Sequence, residues 1–140
     1  MKLTIQPNVS AGPIEFGMSS VQVRKNINKA FKSFKRTPLS AHPCDYFEEE
    51  GIFVYYEADG RVEAVEFVEP AEPTFENKNL LTVSFAELVA FFEKRDESAE
   101  IDTTEFTSKL FGIGASAPLA KESPEKPAES VIAFRKGYYD

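Results

Sequence analysis

The chain has 140 residues, with 16 basic and 23 acidic side chains and a formal net charge of −7 at pH 7. Hydrophobic residues make up 42% of it, 13 Phe and 5 Tyr among them, enough apolar surface to offset the entropy of ordering the chain and to exclude a disordered protein. A membrane-spanning helix needs roughly 20 consecutive apolar residues, and the longest runs, such as Leu88 to Phe92, are far shorter. Met1 to Asn8 lack the apolar stretch of a secretory signal and Cys44 is the single cysteine, so the expected location is the cytoplasm, with no membrane contact.

Charge is unevenly spread. The first 36 residues carry Lys2, Arg24, Lys25, Lys29, Lys32, Lys35 and Arg36 against Glu15 alone, and the remaining 104 hold nine basic and 22 acidic side chains. The molecule is expected to be electrically lopsided. Phe31 and Phe34 interleaved with cations is a pattern that suits nucleic acid, with phosphates neutralised and bases stacked on rings. Against it stands the acidic remainder, whose field repels a polyanion and draws a basic protein. The cations are read instead as the solvated face of a helix, paired with acidic neighbours at roughly 0 to 1 kcal/mol per exposed pair.

That helix is announced at Ser19. With Ser19 as N-cap, Gln22 falls where its side chain can return a bond to the Ser19 amide, and Met18 and Val23 form a hydrophobic staple. Val23, Ile27, Ala30 and Phe31 then recur on one face, predicting about three turns. Next, Gly51 to Val68 holds two β-rich runs around Asp59-Gly60, the strongest short-range hairpin signal. Glu69-Pro70-Ala71-Glu72-Pro73 reads as a linker, and Asn77-Lys78-Asn79 as a turn.

The same grammar returns 65 residues after the first cap. Ser84 is the cap, Glu87 its reciprocal partner, and Val83 and Leu88 the staple; Phe85, Leu88, Val89 and Phe92 mark one helical face, with Lys94 and Arg95 at the carboxyl end of the dipole. Beyond it, Phe106 to Ala115 reads as one strand and Glu129 to Tyr139 as another. Pro118, Pro124 and Pro127 punctuate a Lys/Glu-rich stretch between them that reads as a long mobile loop. Glu63-Ala64-Val65 is echoed by Glu129-Ser130-Val131, 66 positions on. With the duplicated caps, this favours a tandem organisation.

Gly17-Met18-Ser19 followed by Gln22-Val23 resembles the opening of the small α+β modules typified by the outer-membrane assembly lipoprotein BamE, a helix followed by a β-hairpin. Two such modules in tandem are similar to the β-lactamase inhibitor protein, whose paired units build one curved sheet that grips a partner. This chain has neither the lipoprotein's acylated cysteine nor the inhibitor's disulfides. An acidic, cytoplasmic version resembles the immunity proteins of bacterial toxin systems, which cover the active site of a cationic toxin. What the resemblance implies is a type of surface, without residue-by-residue correspondence.

Few residues invite chemistry. His42-Pro43-Cys44 holds the only His and the only Cys, but residues two apart across a proline do not face each other as an activated thiol requires, and one of each makes no ordinary zinc site. Glu48-Glu49-Glu50 reads as a solvated turn or part of an acidic docking patch. Gly112-Ile113-Gly114 lacks the third glycine and following helix of a dinucleotide fingerprint and marks instead a bulge or close approach. Along Ile52 to Tyr56 side chains alternate, with Ile52, Val54 and Tyr56 on one face and Phe53 and Tyr55 on the other. The second face is either an open, sticky surface or is capped by the Pro-rich loop or the aromatic chain end, Phe134 to Tyr139.

The expected fold is α+β: two helices packed on one face of a mostly antiparallel sheet, a single domain 1–140 with tandem helix–hairpin halves at about 13–68 and 75–139. The expected function is non-enzymatic protein binding, as an inhibitor or immunity protein masking the active site of a basic bacterial toxin or enzyme. No cofactor or metal is expected. Rings supply contact area and carboxylates steer, which selects Glu48, Glu49, Phe53, Tyr55, Glu57, Glu63 and Glu66 as the partner-binding residues. The alternatives are a small ligand-binding domain or hydrolase using carboxylates and tyrosines, separable by a deep pocket with converging polar groups, and nucleic-acid binding through Arg24 to Arg36, separable by salt-sensitive binding of RNA or DNA.

Overall fold

The structure, a computed structural model, describes residues 1–139. It is an α+β protein with two helices and two sheets. The first helix, α1 (Ser20–Ile27), is capped as its sequence dictates: the Gln22 amide donates to Ser19 Oγ at 3.3 Å and the Ser19 amide to Gln22 Oε1 at 3.4 Å. It is shorter than the periodicity predicts. Asn28 takes a left-handed conformation, φ 52°, and closes the helix there, a conformation that asparagine tolerates and that ends helices. Ala30 and Phe31 are therefore off the helix, and Lys29, Lys32, Lys35 and Arg36 line a loop and strand rather than a helical face. The second helix, α2 (Phe85–Arg95), is capped by Ser84, which accepts from the Glu87 amide at 3.1 Å. Here the box is half made: the Glu87 carboxylate pairs with Lys78 at 3.4 Å.

A five-stranded sheet, absent from the sequence expectation, is built from β1 (Lys2–Gln6), β2 (Ser10–Ala11), β3 (Ile14–Glu15), β8 (Glu72–Phe75) and β9 (Lys78–Asn79) in the order β3-β2-β1-β8-β9. Its β1–β8 pair is parallel. The supposed linker thus contributes a strand, and the β8–β9 turn falls at Glu76 and Asn77, both at positive φ, one residue earlier than expected.

The larger sheet has eight antiparallel strands: β4 (Lys32–Phe34), β5 (Cys44–Phe47), β6 (Ile52–Tyr56), β7 (Val62–Phe67), β10 (Glu100–Ile101), β11 (Glu105–Ser108), β12 (Ile113–Ser116) and β13 (Ser130–Phe134). Their order is β10-β11-β12-β13-β7-β6-β5-β4, two four-stranded meanders joined by their last strands. The β6–β7 hairpin turns at Asp59-Gly60 as the sequence predicts. The expected single strand from Phe106 to Ala115 is instead the β11–β12 hairpin. Its turn closes at Gly112, φ 64°, where a Cβ would lie 2.5 Å from the Phe134 carbonyl oxygen, so no side chain fits there.

Strand alternation sorts this sheet into two faces. On the inner face, matched registers give one row running Phe47, Ile52, Phe67, Val131, Ala115, Phe106 and another running Asp45, Val54, Val65, Ala133, Ile113, Ser108. The apolar members of these rows lie in one core cluster with Val23 and Ile27 of α1, Phe85, Leu88 and Phe92 of α2, and Leu3, Ile5, Ile14 and Phe75 of the small sheet. The second row ends on buried polar groups, Asp45 at one end and Ser108 at the other. The segment from Ala117 to Ala128, expected as a mobile loop, is held in place: Ala117, Ala120 and Ala128 are buried, and the Lys126 and Pro124 carbonyls accept from the Phe85 and Ala86 amides at 2.8 and 3.1 Å. Among the described residues no helix is long and apolar enough to cross a membrane.

Candidate functional site

The outer face of the eight-stranded sheet carries the row Lys32, Tyr46, Phe53, Glu66, Ile132, Gly114, Thr107, Glu100. One cation, Lys32, stands at its β4 end, and the carboxylates Glu66 and Glu100 lie at its middle and its β10 end. At the β4 end the rings stack. Tyr46 and Phe53, directly opposite each other, are parallel with centroids 4.0 Å apart, and Phe34 meets the Phe53 edge at 6.4 Å. Phe34 is 41% exposed and Tyr46 and Phe53 are half-buried.

Tyr55 is different. It is 7% exposed, in a second small core with Cys44, Ala64 and Phe134, against which Phe53, Ile132 and Tyr138 pack. Arg36, from the loop after β4, lies over its ring at 3.9 Å, and the Arg36 guanidinium also donates to the Tyr138 hydroxyl at 3.4 Å. The Tyr55 hydroxyl donates to Glu66. Burial and the Glu66 carboxylate together push the Tyr55 hydroxyl pKa far above its ordinary value, so Tyr55 is a neutral donor at any physiological pH. The chain end therefore covers part of this face: after β13 it turns, bringing Tyr138 and Tyr139 across Phe134 at 5.7 and 4.9 Å between ring centroids. The expected strand to Tyr139 stops at Phe134.

Between this cover and the β10 end the outer face has a recess of about 350 Å³. Ile132 and Gly114 line its sheet side; Glu66 and Arg36 stand at one end, Glu105 and Thr107 at the other, and Ser116, Ser130, Tyr138 and Tyr139 are among the other residues that line it. Register places Ser116 opposite both Glu105 and Ser130.

The residues selected from sequence do not form one patch. Phe53, Tyr55 and Glu66 share the outer face, with Phe53 directly opposite Glu66. Glu48 and Glu49 are exposed in the β5–β6 turn at one end of the strands, Glu48 pairing with Lys32 at 3.0 Å. Glu57 and Glu63 lie at the other end around Arg135, at 2.7 and 3.8 Å. Burial raises the Glu63 pKa, with Arg135 opposing the shift. Sequence reasoning passed over Thr107 and Glu105 and named Arg36 only within the basic stretch considered for nucleic acid; their place on this face arises from the pairing of β11 and the path of the loop after β4. The unusual aromatic content of Tyr138-Tyr139 was the one visible signal for the cover.

The two buried carboxylates are fully engaged within the fold. Asp45, 0% exposed, accepts two bonds from Arg24 at 2.9 and 2.8 Å, one from Ser33 at 2.6 Å and one from Tyr56 at 2.7 Å. Burial alone would raise its pKa, but these donors outweigh it and hold the carboxyl below its ordinary value. At the far end of the same row Asp96 accepts from Ser98 and from Ser108, both hydroxyls at 2.7 Å, and its carboxyl is likewise held low against burial. Burial pushes the Cys44 thiol up, while His42 is exposed beside Gly60. Among the described residues no three His, Cys, Asp or Glu side chains are grouped as metal ligands would be.

Compared with protein-family models, with curated proteins and with solved structures, the chain matches none.

Proposed function

We propose that the protein is a non-enzymatic binding module, an inhibitor or immunity protein whose outer sheet face docks on a basic protein and masks its active site. The observation that carries this reading is the accessible aromatic cluster of Tyr46 and Phe53, stacked in one row with the carboxylates toward β10, and Phe34 edge-on beside them. Aromatic rings on a rigid sheet supply buried area with little loss of conformational entropy, and the carboxylates steer a cationic partner and set its register. The engagement of Asp45 and Asp96 by their donors and the burial of the Cys44 thiol favour binding over catalysis.

The reading includes two tandem halves, about 13–68 and 75–139, in which α1 and α2 back one face of the long sheet and leave the other for the partner. Three paired details support it. The N-cap serines, Ser19 and Ser84, each form an isolated bridge to a residue just ahead of their meander's last strand, Arg61 and Pro127. Gly51 and Gly112 each precede a buried isoleucine and accept, at 2.9 Å, from the amides of Val68 and Phe134, which stand 66 positions apart. Glu66 and Ile132, again 66 apart, are directly opposite at the seam.

The test is titration of the purified protein with a panel of cationic nucleases and with the product of the adjacent gene, at rising salt. A complex that weakens with salt, inhibits the partner and is lost in Phe34→Ser and Phe53→Ser is expected. Absence of a complex with every cationic protein offered overturns the reading.

A further inference from the structure

We propose that the recess between Glu66 and Glu105 is the anchor pocket for one long basic side chain, lysine or arginine, of the protein that docks on the outer face. This rests on the reading of that face as the partner surface.

The charge balance of the recess sets the sign of its occupant. Among the described residues Arg36 is the one cation that lines it, and that guanidinium is already engaged: it lies over the Tyr55 ring, donates to the Tyr138 hydroxyl and feels the Glu66 carboxylate. Glu105, at the other end, is exposed and forms no ion pair with another described residue. One negative charge is left over in a partly enclosed space, where an ion pair is screened less than on open surface. An anion entering there would meet two carboxylates.

The shape and lining suit a long stem with a charged tip. Gly114 sits between Ile132 and Thr107 in the outer row, and a methyl group there would come within 3.3 Å of Ile132 Cγ2 and 3.0 Å of the Phe106 carbonyl oxygen; the missing side chain keeps the sheet side of the recess open. Ile132 offers apolar surface for methylene groups, as basic side chains require when the stem is buried and the head remains polar. Around the head, Thr107, Ser116 and Ser130 carry hydroxyl acceptors next to Glu105, and the Tyr139 ring, 48% exposed, provides a face for a cation.

The experiment titrates the full chain with acetyl-Gly-Lys-Gly-amide and acetyl-Gly-Arg-Gly-amide, with the norleucine and aspartate peptides as controls, and follows amide and side-chain NMR signals. Saturable shifts confined to Gly114, Ser116, Ser130, Ile132 and Tyr139 with one or both basic peptides are expected, and the two peptides tell the head groups apart. Glu105→Gln should weaken binding about three- to fivefold, the size of a partly exposed ion pair, and Glu105→Lys should abolish it. Because Glu105 is exposed, both variants should melt with the parent; Glu66→Gln, which keeps an acceptor for Tyr55, gives a second reading on the opposite wall. Equal shifts with norleucine, stronger shifts with aspartate, shifts elsewhere, or none would overturn the anchor pocket. If it fails in this way while a cationic partner still binds through Phe34 and Phe53, the outer-face reading stands; if the peptides bind but no cationic protein does, the pocket stands and the inhibitor reading falls.

Discussion

Glu66 on β7 and Ile132 on β13 are directly opposite each other at the centre of the long sheet, and they are 66 positions apart in the chain. That separation equals the offset between Glu63-Ala64-Val65 and Glu129-Ser130-Val131. If the proposed tandem halves are related by a twofold axis, two equivalent residues become antiparallel partners only where that axis passes between them, which is the register that Glu66 and Ile132 show. Across this seam the inner face is unbroken: Phe67 pairs with Val131 and Val65 with Ala133, all buried. The small sheet does not follow the same symmetry, since β1 and β8 run parallel.

One consequence is that neither half should be stable alone. Cutting the chain between Pro70 and Ala71 exposes the Val65 and Phe67 edge, the Val131 and Ala133 edge, and the β1–β8 pair together. Loss of burial costs about 1.5–3 kcal/mol for each larger apolar side chain, so a few such losses equal the whole stability of a small domain, about 5–15 kcal/mol. Fragments 1–70 and 71–140 are expected to give poorly dispersed amide spectra separately and a native-like spectrum on mixing. A cooperative thermal transition from either fragment alone would contradict the shared core.

Asp45 ties α1, β4 and β6 into one buried network, and its titration should be visible in the stability. Its carboxyl is held below the ordinary 3.8, so in acid the unfolded chain binds the proton more tightly than the folded one. The stabilisation is complete above the unfolded value and is lost as pH falls from about 4 down through the folded value. Urea denaturation across that range should show a steep acid limb, shallower in Asp45→Asn but not flat, because Asp96 is shifted in the same direction. At neutral pH Tyr56→Phe should cost about 1.5–3 kcal/mol, the value of a bond to a charged group. An unchanged acid limb in Asp45→Asn would remove Asp45 from this role.

What could be read from sequence was what local geometry decides. The serine caps and the Asp59-Gly60 hairpin depend on residues two to four positions apart, and each is formed. Asn28 was also a local signal, a residue suited to closing α1, and was outweighed by the apolar spacing that runs on to Phe31. The β11–β12 hairpin escaped because its turn residues, Lys109 to Gly112, lack the usual Asn-Gly or Asp-Gly pair; the matching Gly51-Ile52 and Gly112-Ile113 were the available clue. The small sheet depends on β1 meeting β8 some 70 residues away, which no pattern along the chain encodes. For the site, alternation placed Phe53 and Tyr55 on one face, but the sealing of Tyr55 required Arg36 and Tyr138 to meet over it, a contact between residues 102 positions apart.

The Pro-rich segment offers the sharpest test of a sequence expectation that the fold reversed. The first amides of a helix have no partner within it. In α2 three of them are satisfied: Glu87 by the Ser84 hydroxyl, and Phe85 and Ala86 by the carbonyls of Lys126 and Pro124. The segment from Ala117 to Ala128 therefore acts as a second cap, and the Phe85 and Ala86 amides should resist hydrogen exchange, whereas the corresponding amides of Ser20 and Val21 at the start of α1 should exchange rapidly. Ser84→Ala should cost about 1 kcal/mol, an ordinary cap loss. Replacing residues 119–126 with a short Gly-Ser linker should cost more and deprotect Phe85 and Ala86 specifically, because it withdraws two acceptors and removes the buried Ala120 side chain. Rapid exchange at both amides in the unaltered protein would show that the segment does not cap the helix in solution.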